Sequence, residues 1–154
     1  MEPSESLLAD GRGHYTRKEL VFRLRDFVQQ QPGVTSVELV PSRISPRIVV
    51  ATIDTSAFLG RSYTPAEARL EIEYRPRTRE LDGFRIQWIE SEGGFSCGWH
   101  QDETHPELGR CHFQVDCPNG EPRRESASFA AEHPLGIVAE CFERLPDRLV
   151  ANRM

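Results

Sequence analysis

The stretch between Cys97 and Cys117, CGWHQDETHPELGRCHFQVDC, holds three of the chain's five histidines and three of its four cysteines. Imidazoles titrate near neutral pH and can pass protons as a pair, whereas thiolates and imidazoles together bind zinc. If the flanking segments are strands, alternation sorts their side chains. Phe95, Cys97 and Trp99 share one face, and Ser96, Gly98 and His100 the other. Cys111, Phe113, Val115 and Cys117 form a core-like face, and His112, Gln114 and Asp116 a polar one. Pairing of the two strands would then set His100 and His112 side by side. Arg85 and Gln87 point the same way from the preceding strand, and the loop adds Asp102, Glu103 and His105.

Two chemistries follow from these residues. In the first, His100, His105 and His112 are acid–base groups, Asp102 orients a histidine, and Arg85, Gln87 and Gln114 contact substrate. Arg85 would hold a phosphate. That set suits cleavage of RNA, whose own 2′-hydroxyl is the nucleophile, and it needs no cofactor. In the second, Cys97 and His100 have knuckle-like C-x2-H spacing. With Cys111 or His112, and Cys117, they would hold a zinc ion in a non-enzymatic interaction or regulatory module. For any single histidine a solvated surface position is explanation enough; the trio is what points to function.

The elements that must position these residues read clearly. Thr16 and Glu19 form a capping box ahead of a helix whose apolar face is Leu20, Val21, Leu24, Phe27 and Val28, stopped by Pro32 and Gly33. Strands are expected at 34–40, 47–54, 68–74, 84–90, 95–99 and 111–117, with a further edge strand at 125–129. Residues 56–65 read as a loop and 76–83 as a polar turn. A last helix opens at Pro134, with Leu135, Val138, Cys141, Phe142 and Leu145 facing inward, and Pro146 is expected to end or kink it. The order predicts an α+β fold: about six mostly antiparallel strands, with an N-terminal and a C-terminal helix packed on one face.

Length and composition set the frame. A chain of 154 residues suits one domain, expected over 16–150 after a flexible lead-in at 1–15. A net charge of -5 argues against broad, non-specific DNA binding. Lys18 is the only lysine, so the basic set is almost wholly arginine, scattered along the chain. No apolar run is long enough for a membrane span, and the N-terminal segment lacks a signal-peptide pattern, so a cytoplasmic protein with no membrane partner is expected. Without a secretory signal, the cysteines are not expected to form a disulfide framework.

Between Phe84 and Leu145 the motifs follow a recognisable order. An aromatic-rich strand (FRIQWIE) and a short turn lead into Trp99-His100-x-Asp102, then His105-Pro106, then His112-Phe113 on a further strand, and a closing helix. This arrangement resembles the TumE family of toxins from toxin–antitoxin pairs. The family's histidine doublet and His-x-His cluster are not present here. The resemblance implies a small histidine-hairpin protein acting on RNA, a possible ribonuclease, beside an antitoxin partner. It implies His100, Asp102, His105 and His112 as the functional positions.

Overall fold

A computed structural model describes residues 16–78, 81–102 and 104–153, with the side chains at 76–78, 81–82 and 153 outside that description. The expected lead-in at 1–15 lies outside the described residues. Helix α1 (Arg17–Gln29) precedes strands β1 (Val34–Val40) and β2 (Ile48–Asp54), a short helix α2 (Thr55–Leu59), and strands β3 (Glu67–Thr78), β4 (Leu81–Glu90) and β5 (Phe95–Gln101). A 3-10 turn (Pro106–Leu108), β6 (Cys111–Asp116), β7 (Arg123–Ala127) and α3 (Pro134–Arg153) follow.

The seven strands form one antiparallel sheet in sequence order, so each strand pairs with its chain neighbours. This is the α+β architecture expected from sequence, with one strand more than about six. Alternation explains it. On one face Val49, Ala51, Ile53, Leu70, Ile72, Phe84, Ile86, Trp88, Cys97, Trp99, Phe113 and Val115 are buried in a single core. Leu20, Val21, Leu24 and Val28 of α1 join that core, as do Val138, Cys141, Phe142, Leu145 and Leu149 of α3. Phe27 and Phe142 meet edge-on at 5.5 Å between ring centres and tie the two helices together. The other face of the sheet carries the polar residues.

The capping box forms as read: Glu19 N–H donates to Thr16 Oγ1 at 3.0 Å, and Thr16 N–H to Glu19 Oε1 at 2.9 Å. Thr16→Ala removes one of these bonds and is expected to cost about 1 kcal/mol. Thermal unfolding should show this as a Tm about 3 °C lower.

Three local expectations are corrected. The segment after β2 contains α2, where the Asp54 carboxylate accepts from Ala57 N–H at 3.2 Å and Gly60 closes the helix at φ 69°. The expected turn at 76–83 is largely strand. Because β2 ends with Ile48 opposite Glu73, β3 has only β4 beside it from Arg75 onward, so Pro76 removes no ladder bond on the other side. Helix α3 runs through Pro146 to Arg153. Leu145 and Leu149, 2% and 0% exposed, bury more than enough apolar surface to offset the one backbone bond a proline removes.

Candidate functional site

The register of the sheet lines up the site. Arg85 of β4 is opposite His100 of β5, and His100 is opposite His112 of β6. Directly paired residues project to the same side, here the side away from the helices. The His100 and His112 ring centres are 5.1 Å apart, nearly edge-on at 68°. His105 comes from the turn after β5. Its ring stands 5.1 Å from that of His112, at 85°. The three imidazoles therefore converge, with His112 in the middle.

The turn that carries His105 folds back over the polar face. Ser126 Oγ on β7 donates to the carbonyl of Leu108 at 2.7 Å, and His105 Nδ1 lies 3.4 Å from the Glu107 carboxylate. Under this cover His112 is only 3% exposed, and its Nε2 has no hydrogen-bond partner among the described residues. A buried, unpaired ring nitrogen costs free energy, and here it sits beside two further imidazoles.

His100 is held from the other side. Its Nε2 lies 2.7 Å from Gln87 Oε1, Gln87 Nε2 donates to Ser96 Oγ at 3.1 Å, and Ser96 Oγ lies 3.5 Å from Asp116 Oδ2. Gln114 Nε2 donates to the same carboxylate at 3.0 and 3.1 Å, and Gln114 Oε1 accepts from Arg124 Nε at 3.0 Å. Gln87 is 7% exposed although it sits on the polar face. It lies over Gly98, where an added Cβ would stand 2.7 Å from Gln87 Oε1 and 2.0 Å from the Ile86 carbonyl oxygen.

Burial pushes His100 down to about 4, helped by His112 and Arg85, against the pull of Asp102 and Asp116. Burial lowers His112 as well. Both rings are thus neutral at neutral pH. Burial alone would raise Asp102, but its bonds from Thr104 Oγ1 at 2.6 Å and Thr104 N–H at 3.0 Å, with the two histidines, hold it below the ordinary carboxylate range.

A stability consequence follows from His100. Its folded-state value lies below the 6.5 of a free imidazole. As pH falls through 6.5 toward 4 the unfolded chain takes up the proton first, so the fold loses stability across that window. The loss from this ring is at most about 3 kcal/mol. Urea midpoints at neutral pH and near pH 4.5 should therefore differ more in the wild type than in His100→Gln. Parallel curves would refute this.

The expected site residues fall into two groups. His100, His105, His112, Gln87 and Gln114 are gathered on the polar face. Arg85 is also there, but it is engaged by Glu71 at 2.8 Å, with Arg69 on the other carboxylate oxygen at 2.9 Å. Asp102 binds Thr104 and not an imidazole. The zinc set does not converge. Cys97 and Cys111 lie buried on the helix-covered face, opposite to His100 and His112, and burial pushes each thiol up to about 12. Cys117 is exposed beyond the end of β6. Among the described residues, no three His, Cys, Asp or Glu side chains are grouped as a metal site as they stand.

Comparison with known proteins adds no relative. The chain matches no protein-family model, and neither a curated protein nor a solved structure matches it. The site must therefore be read from its own chemistry. Gly98, Ser96 and Asp116 matter here although no role was assigned to them from sequence. The available signal was a glycine in the middle of a strand, which marks a close approach of a neighbour.

Proposed function

We propose that this protein cleaves RNA, in the manner of the toxins that its 84–145 segment resembles, using the imidazoles of His100, His105 and His112. The observation that carries the reading is the convergence of three rings at 5.1 Å spacings, with the buried Nε2 of His112 unpaired among the described residues. Neutral His100 takes the proton from a ribose 2′-hydroxyl, and the 2′-oxygen attacks the adjacent phosphorus. The bond to the 5′-oxygen breaks, and that oxygen takes a proton from His105, whose cationic form has Glu107 beside it. His112 Nε2 is the group left to hydrogen-bond the phosphate. Because His112 is covered by the 105–108 turn, substrate entry requires that turn to open and then close again, which returns His105 to the site. An antitoxin-type protein partner belongs to the same proposal.

The test uses paired substrates. A single-stranded RNA should be cut to fragments ending in 2′,3′-cyclic phosphate and 5′-hydroxyl, in the presence of a chelator. The same sequence as DNA or 2′-O-methyl RNA should stay intact. RNA left whole, or DNA cut equally, would end the proposal.

A further inference from the structure

The proposed reaction needs an imidazole that keeps one nitrogen unprotonated and aimed, and we infer that Asp116, Ser96 and Gln87 are positioning residues that hold the His100 proton on Nε2 and leave Nδ1 as the base. The assignment of a base role rests on the proposed function; the hydrogen-bond argument does not.

The direction of the network is set by groups that can act in only one way. A carboxylate only accepts, and a guanidinium only donates. Arg124 Nε donates to Gln114 Oε1 at 3.0 Å, so the Gln114 amide nitrogen faces Asp116, as its 3.0 and 3.1 Å contacts require. On the other side of Asp116, the Ser96 hydroxyl lies 3.5 Å from the carboxylate, at the far end of hydrogen-bond reach, and toward an acceptor-only group its one role is to donate. Ser96 must then accept from Gln87, which places Gln87 Nε2 on Ser96 at 3.1 Å and turns Oε1 toward His100. An amide oxygen only accepts, so the His100 nitrogen 2.7 Å from it carries the proton. The opposite orientation of Gln87 would need Ser96 to donate to it and to Asp116 with one hydrogen.

Burial makes the arrangement selective. Gln87 is 7% exposed, so a flipped amide would not be rescued cheaply by water. Gly98 lies between Gln87 and Gln114 in register, and its missing side chain leaves the space through which Gln87 spans from Ser96 to His100. The charged or titratable groups that act on His100 are Arg85 from β4, His112 and Asp116 from β6, and Asp102 at the end of its own strand. None of these four is the atom that fixes its proton; that atom is Gln87 Oε1.

Nitrogen NMR of the full-length protein, without RNA, reads the ring directly. In the wild type at neutral pH, His100 should show a protonated Nε2 and an imine-type Nδ1. Ser96→Ala and Asp116→Asn remove the directional constraint and should give mixed tautomers at His100. Gln87→Glu puts a carboxylate against Nε2–H and should raise the His100 titration by about 2 pH units, since an adjacent opposite charge favours the cation. The acid limb of the RNA-cleavage profile should move up by the same amount. A merely structural role for Gln87 would leave the titration in place. A wild-type ring protonated on Nδ1, or Ser96→Ala and Asp116→Asn rings identical to wild type, overturns this inference even if RNA is cut. A protein with the expected tautomer that leaves RNA whole overturns the function and upholds the network.

Discussion

His100→Gln is expected to slow RNA cleavage by about 10²–10⁴-fold, the range that a positioned acid or base contributes. The substitution removes the basic ring nitrogen while keeping a polar group of similar reach beside Gln87. In the wild type, kcat/KM should rise with pH through about 4, the value to which burial and the neighbouring His112 depress the ring. In the variant that limb should be absent, and the residual rate should lose this dependence. Stability at neutral pH should be nearly unchanged, because His100 is neutral there and its removal leaves no buried charge unpaired. A variant that cleaves RNA as fast as the wild type would show that the convergent rings do not act on it. A variant that is slow only because it has unfolded would be exposed by its circular dichroism.

Gly98→Ala should be the most damaging single methyl group in the sheet. The new Cβ would lie 2.0 Å from the Ile86 carbonyl oxygen and 2.9 Å from Gln87 Cα, both backbone atoms of the paired strand. No rotamer change relieves a backbone clash, so β4 and β5 would have to separate where Trp88 and Trp99 pack. Overpacking alone costs about 1–3 kcal/mol, and displacing Gln87 from Ser96 and His100 adds to it. A total loss of about 3 kcal/mol or more is expected, a large share of the roughly 5–15 kcal/mol of a typical domain. Gly120→Ala is the control: nothing lies within 4 Å of its added Cβ, and exposed changes of this kind stay within about 0.5 kcal/mol. Equal urea midpoints for Gly98→Ala and wild type would refute the steric argument.

Much of the site was readable before any coordinates. Alternation along 95–101 and 111–116 depends only on the two-residue period of an extended chain. It therefore separated His100 and His112 from Cys97 and Cys111, and that separation is what keeps the five zinc candidates apart. The partner of Asp102 was not readable in this way: it was expected to orient a histidine, and its carboxylate instead accepts from Thr104 Oγ1 and Thr104 N–H. Arg85 was less legible. Its capture by Glu71 depends on the β3–β4 register, which places Glu71 opposite Gln87 and Glu73 opposite Arg85. No pattern in either strand alone sets that register.

Short-range patterning was thus sufficient for the capped first helix, the strand faces and the concentration of imidazoles on the face away from the helices, because each follows from how one segment projects its own side chains. Folding in three dimensions supplied the rest. It brought His105 onto His112 through the bond between Ser126 and Leu108, buried Gln87 over Gly98, and joined Asp116 to His100 through two intervening residues. Those partners come from different strands and a turn, and they meet only once the packing of the common core has aligned every strand with its neighbour.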